Sequence, residues 1–249
     1  MPMYEVLIDT NDFLLINKFP GVSFHSETET GLAAQLKADL QLPELYPVHR
    51  LDKVTSGLII FGKTLAFTRH IGAQFENHQV RKLYVALADK RPSKKQGWIK
   101  GDMEKGRRGS WKLSSSMTNP AITQFTSASI RAGLRAFFLY PHTGKTHQLR
   151  VAMKSLGSPI LGDTLYYPKN VPAPLLQTPV ERTYLHAAAL SFQWQERVHT
   201  YVLWPRQGDL FLNINWHQAL ISHSQPWMTW VLDAIELGHH DQPMLSAAS

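Results

Sequence analysis

The sequence predicts an α+β fold on a mostly antiparallel or mixed sheet. Apolar runs of strand length follow one another across short turn sequences, as in "EVLI", "DTND" and "FLLIN" near the start. Segments with helical spacing are few and stand between such runs, and no segment repeats.

Taken in order, "YEVLIDTNDFLLINKFPG" predicts two strands around a turn. Gly31 to Leu42 has helical spacing, with Leu32, Leu36 and Leu40 on one face. Pro43 and Pro47 enforce an extended approach to His49. "GLIIF" predicts a buried strand. Residues 64 to 78 predict a helix with a stripe of Leu65, Thr68, Gly72 and Phe75. "RKLYVALAD" alternates, placing Leu83, Val85 and Leu87 on one face and Lys82, Tyr84 and Ala86 on the other. Lys90 to Lys112 has little periodicity and is expected to be loop. "AITQFTSASI" and "RAFFLYP" predict paired strands, with "HTG" as a turn. Thr146 to Leu156 predicts a helix with Leu149, Met153 and Leu156 toward the core, stopped by Gly157 and Pro159. "PKNVPAPLLQTPVE" is a proline-rich surface loop. "YLHAAALSFQW" and "HTYVLWP" predict two more strands, and residues 215 to 237 a helix. Residues 1–237 are expected to form one domain, and 238–249 a flexible tail.

The composition sets outer bounds. A chain of 249 residues can bury a substantial core, and 43% apolar against 18% charged residues is an ordinary globular balance. The absence of cysteine excludes disulfides and thiolate metal sites and suits a reducing compartment. No apolar run approaches the length of a membrane span, and "MPMYEVLIDTND" lacks the pattern of a signal peptide. A soluble, cytoplasmic, monomeric protein is expected. The net charge of +7 is local: residues 81 to 112 hold 11 of the 26 basic and 3 of the 19 acidic side chains, +8 against −1 for the remainder. Such a patch, interleaved with Gly and Trp, suits a polyanion. The Trp residues are mostly core or interface candidates, although Trp98 and Trp111 lie beside its loop charges and are candidates to stack on bases.

Three stretches set charged groups beside glycine or small residues: Lys18 to Gly21, His49 to Gly57, and Thr143 to Arg150. Asp52 stands among His49, Arg50 and Lys53, before Thr55, Ser56 and Gly57, which allow close backbone approach. Arg150 shares a helix face with His147 and Lys154, away from Leu149, Met153 and Leu156. An Asp, an Arg and a Tyr can thus converge while their neighbours anchor the core.

"HRLDKVTSGLIIFGKT", "RKLYVALAD", "TGKTHQLRVAMKSLGSPILGD" and "LHAAAL" resemble, in this order, the motifs of RluA-type RNA pseudouridine synthases over residues 4 to 205. The resemblance implies a bent central sheet, isomerisation of uridine in ribosomal or transfer RNA, and no cofactor or metal. It implies Asp52 as the catalytic aspartate, Arg150 as its ion-pair partner, and Tyr84 beside the target base. Arg50 matches the arginine two places before the aspartate. Lys82, Lys105, Arg107, Arg108, Lys145 and His147 are the remaining candidates for RNA contact. An adjacent guanidinium would keep Asp52 charged where burial alone would neutralise it. The residues leave open whether Asp52 attacks the sugar, attacks the base or removes a sugar proton. The chain departs from the family pattern at Pro20, one place late, at Ala152 where His is usual, and at Gln193 and Trp194 where His-Pro is common. The auxiliary N-terminal RNA-binding domain of many relatives is expected to be absent, since the pattern starts by Tyr4.

Simpler readings compete. Asp52 would serve as a turn cap, Tyr84 as sheet packing and Arg150 as a surface charge. His49, His147 and His186 lack zinc-ligand spacing and are expected to form structural hydrogen bonds. "GHHDQ" at residues 238 to 242 resembles a chelator but suits a solvated tail. A non-catalytic RNA-binding protein with the same fold needs no Asp–Tyr–Arg set. A glycan or nucleoside hydrolase needs a second carboxylate that the motifs do not supply.

Overall fold

The computed structural model describes residues 3–24, 31–168 and 179–238. The expected tail beyond Gly238, with most of the "GHHDQ" stretch, lies outside the described residues, as does most of the proline-rich loop. The strands are β1 (Tyr4–Asp9), β2 (Phe13–Lys18), β3 (Tyr46–Pro47), β4 (Ser56–Gly62), β5 (Arg81–Ala88), β6 (Gln96–Gly101), β7 (Met103–Lys105), β8 (Trp111–Leu113), β9 (Ala121–Arg131), β10 (Leu134–Pro141), β11 (Leu185–Trp194) and β12 (Arg197–Val202). The helices are α1 (Leu32–Asp39), α2 (Leu65–Glu76), α3 (Gln148–Ser155), α4 (Asp209–Leu212), α5 (Trp216–Ser222) and α6 (Thr229–Glu236). The predicted α+β class holds. The chain divides into two compact units, one of residues 1–81, 187–203 and 231–249, the other of 82–186 and 204–230.

In the first unit, β1, β2, β4 and the Ala187–Trp194 part of β11 are neighbours in that order, with β3 added to β4 and β12 to β11. β1–β2, β2–β4, β3–β4 and β11–β12 are antiparallel. "FLLINK" and "SGLIIFG" are buried on both faces, so β2 and β4 take central positions, whereas the half-exposed β1 lies at an edge. Phe13, Leu15, Leu58, Ile60, Leu190, Phe192 and Leu203 form a core with Phe67 and Ile71 of α2. Thr64 caps α2 by accepting the Phe67 N–H. The cap sets the phase of the helix, and the phase differs from the expected stripe. Phe67, Ile71 and Gln74 are buried, whereas Leu65 is exposed, since Phe67 and Ile71 are the side chains that this phase turns onto the core.

In the second unit the strand order is β5-β10-β9-β6, antiparallel throughout. β7 and β8 form a separate two-stranded ribbon. The basic window is therefore not a loop. β6, β7 and β8 pair through their backbones in short stretches that mix charged residues with Trp98, Ile99, Met103, Trp111 and Leu113, and Gly97 and Gly101 interrupt the alternation, so no apolar period announced them. α3 begins at Gln148 rather than Thr146, because His147 takes a left-handed backbone (φ 58°). Its core face holds Leu149, Met153 and Leu156 as expected, and Gly157 (φ 75°) ends it. Residues 215 to 237 are not one helix: α5 stops at Ser222, and Pro226 opens a new turn before α6. α4 was not anticipated, four residues being too short to show a period.

Candidate active site

The Asp52 loop is held from beneath by the first unit. β3 pairs with β4, so Pro47 delivers the chain to His49 beside the strand it will re-enter. His49 Nε2 accepts the Ile60 N–H at 3.0 Å, and the ring stacks on Phe75 at 4.6 Å between centroids. That is the structural role expected of it. The Thr55 N–H donates to the Asp52 carbonyl at 3.0 Å, closing a turn that leaves Asp52 half-buried and Arg50 exposed. Gly57 has φ 109°, and a Cβ there would meet the Ala187 carbonyl oxygen at 2.3 Å, so only glycine lets the chain leave this turn against β11.

Lys18 explains why "NKFPG" belongs with this loop. Its side chain is fully buried, and Nζ donates to the carbonyls of Phe19 and Val22 at 3.0 Å each and of Lys53 at 3.2 Å. The Gly21 N–H adds a bond to the same Lys53 carbonyl at 2.8 Å. A buried ammonium needs such acceptors, and here they staple two sequence-distant turns beside Asp52. Lys18 was noticed only as part of a charged stretch.

The second unit positions Tyr84 and Arg150. Register aligns Tyr84 with Leu139 and Leu139 with Phe125, so these three share one face of the sheet, and Tyr84 is half-buried there. Thr123 lies on the same face two residues along β9. Gln148 holds α3 to it: its Nε2 donates to Thr123 Oγ1 and the Ile122 carbonyl, both at 3.0 Å. Its Oε1 accepts Thr143 Oγ1 at 2.7 Å and the Lys145 N–H at 3.0 Å. One buried amide thus closes the "TGKTHQ" turn. Lys145 Nζ donates to Asn119 at 2.7 Å.

Arg150 is buried, and its Nε and Nη2 donate to Asp163 at 2.7 and 2.9 Å. It is not the surface charge of the simpler reading. Asp163 is fully buried and also accepts the N–H groups of Leu165 and Tyr166 at 3.0 and 3.1 Å. Asp163 was missed as a partner, although the "ILGD" ending of the third motif contains it. The face shared by His147, Arg150 and Lys154 is as expected, and all three gather on Tyr166. His147 Nδ1 is 2.9 Å from the phenol oxygen, and Arg150 and Lys154 lie 5.0 and 5.7 Å from the ring centroid. Lys82 is also in this unit, and burial lowers its pKa to about 8.

The basic ribbon is docked to the same tyrosine. The Trp111 N–H donates to the Tyr166 hydroxyl at 2.8 Å. Beyond that point β7 and β8 carry an exposed tip with Lys105, Arg107 and Arg108. The tip is shaped by the Gly106 N–H donating to the Ser110 carbonyl at 2.7 Å and by Arg108 at φ 55°. Lys112 is paired with Glu104 at 2.9 Å, so the outward charge of the ribbon sits at its end. The first unit therefore holds Arg50 and Asp52, and the second carries Lys82 and Tyr84 on the sheet, Lys105, Arg107 and Arg108 on the ribbon, Lys145 and His147 in the turn before α3, and Arg150 on α3. Among the described residues no cluster of three or more His, Asp or Glu is arranged to hold a metal. No described helix is long and apolar enough to cross a membrane.

Comparison with known proteins shows the family. Residues 12–155 match the model of the family described as RNA pseudouridylate synthase. The chain is 46% identical over 209 residues to an "Uncharacterized RNA pseudouridine synthase" of Haemophilus influenzae, covering 84% of this chain and 90% of that one. It is 29% identical over 243 residues to tRNA pseudouridine synthase C of Haemophilus ducreyi, covering 86% and 96%. Among solved structures, Human RNA Pseudouridylate Synthase Domain Containing 4 is similar in fold, with a TM-score of 0.67 at 23% identity, covering 89% of this chain and 94% of that one.

Proposed function

Because the chain belongs to the RNA pseudouridine synthase family and is an isomerase of that kind, we propose that it converts chosen uridines of ribosomal or transfer RNA to pseudouridine, with Asp52 as the essential carboxylate. The observation that carries this reading is the family match over residues 12–155, which contains Asp52, Tyr84 and Arg150 together. The transfer RNA enzyme of Haemophilus ducreyi supports transfer RNA within that class.

In this reading the N1–C1′ bond of the uridine breaks, the uracil turns, and C5 bonds to C1′. The proton leaving C5 is balanced by the one gained at N1, so no oxidant or reductant enters, and this reading calls for no metal or cofactor. The base must first leave its stack. Asp52 acts in its charged form on the sugar or the base, with Arg150 as its cationic partner. Tyr84 lies against the uracil or accepts the C5 proton. Arg50, Lys82, Lys145, His147 and the Lys105–Arg108 tip meet the RNA backbone. Residues 1–237 act as one catalytic domain, in the cytoplasm and as a monomer.

The test is a map of pseudouridines in ribosomal and transfer RNA from cells with and without the gene, with the purified protein added back to the unmodified RNA. A site that vanishes on deletion and returns on addition supports the reading. No missing site in either RNA class, and no product from the pure protein, overturns it.

A further inference from the structure

The sheet face opposite Tyr84 ends in a group of rings and a cation. Register aligns Trp98 on β6 with Gln124 on β9, and Gln124 with Tyr140 on β10. Lys100 aligns with Ile122 on the same face. The alternate residues Ile99, Thr123, Phe125 and Leu139 turn the other way and are buried. Phe138 shares the face of Tyr140 but is covered by Trp216, at 6.0 Å between ring centroids. Trp98 is not covered and is 46% exposed. His142 lies 4.8 Å from the indole at a 31° tilt and 4.7 Å from Tyr140, and Tyr140 lies 5.6 Å from Trp227. Lys100 Nζ sits 4.8 Å from the Trp98 centroid. β6 closes the strand order of this sheet, so the indole stands at an open edge.

We infer that this face is a stacking site for an unpaired nucleotide of the RNA substrate, with the base on Trp98 and the adjoining phosphate at Lys100. The inference rests on the RNA-modifying reading above and adds a contact on the face away from Tyr84. An exposed indole beside an ammonium matches a nucleotide in both parts, a π-face for the base and a charge for the phosphate. Gln124 and His142, whose Oε1 and Nε2 are 3.4 Å apart, add polar groups beside the ring. Arg91, Lys94 and Lys95 are exposed shortly before or at the start of β6 and share the local positive excess. A protein partner fits less well. A stable protein interface buries roughly 800 Å² per side, whereas of the rings here only Trp98 is exposed, Tyr140, His142 and Trp227 being half-buried. The site would favour RNA with single-stranded nucleotides flanking the target uridine.

The experiment uses the full chain and two probes, a short oligouridylate carrying one 2-aminopurine and an RNA duplex of equal length. Trp98→Ala is expected to weaken binding of the single strand by about 5-fold to 150-fold, the range of one base–aromatic stack, with the duplex much less affected. Its salt dependence keeps the wild-type slope, because no phosphate contact is lost. Lys100→Gln lowers the log–log slope by about 0.7. Trp98→Phe keeps a ring and still quenches 2-aminopurine emission, whereas Trp98→Ala does not. Wild-type affinity and quenching in Trp98→Ala overturn the inference and leave the face to a protein partner. If the wild type makes no pseudouridine but Trp98→Ala still loses the single strand, the proposed function fails and the stacking site stands.

Discussion

Arg150 and Asp163 form a buried, two-pronged ion pair, with Nε and Nη2 donating at 2.7 and 2.9 Å to the two carboxylate oxygens. The pair fixes one edge of the guanidinium, and the hydrogen bonds that Asp163 accepts from Leu165 and Tyr166 fix the carboxylate in turn. Such geometry gives the arginine one orientation and a rigid support.

Removing Asp163 should leave a buried guanidinium without that support. Asp163→Ala is expected to lose about 3–5 kcal/mol in urea unfolding. The double variant Asp163→Ala, Arg150→Met should recover part of this loss, because the uncompensated charge goes too. A single variant as stable as the wild type would show that the pair contributes nothing.

Asp52→Asn should abolish pseudouridine formation and leave RNA affinity nearly unchanged. Asn keeps the shape of the half-buried side chain and removes its charge. Product analysis of purified protein decides it, and turnover at the wild-type rate would remove Asp52 from the centre of the mechanism.

The tip of the ribbon carries Lys105, Arg107 and Arg108, all exposed. Reversing all three to Glu should weaken RNA binding and flatten its salt dependence, each lost phosphate contact lowering the log–log slope by roughly 0.7–0.9. Affinity measured at several salt concentrations is the check. An unchanged slope would mean that RNA does not run along the ribbon.

Burial lowers the Lys82 pKa from 10.5 to about 8. The folded chain therefore releases this proton before the unfolded chain does. Between these two values the unfolded state binds more protons, so the Lys82 contribution to stability rises with pH. Denaturation curves across that window should rise less steeply for Lys82→Met than for the wild type. Identical curves would mean that Lys82 keeps an ordinary pKa. A phosphate contact from Lys82 should weaken over the same upward change.

Patterns with a strong local cause were legible in the sequence. β2 and β4 are uninterrupted apolar runs, and β5 and α3 have clear periods, so their type and faces follow from burial alone. The stop at Gly157 follows from backbone chemistry, and the candidate residues from motif spacing. β6, β7 and β8 were hidden because a strand can be held by its partner's backbone while being too short and too mixed in charged, apolar and glycine residues to show a period. The stripe on α2 was misplaced because a single turn of phase depends on which residue meets the core.

The sequence by itself determined the α+β class and the family, and it named the candidate residues for the chemistry, since these depend on order along the chain. Only the tertiary structure decided the partners: Asp163 under Arg150, Tyr166 between the ribbon and α3, and Lys18 beneath the Asp52 loop. Each joins elements 13 to 55 residues apart. Hydrogen bonds and ion pairs depend on distances of about 3 Å in space, and separation along a chain does not specify those distances until the sheet and helices have packed.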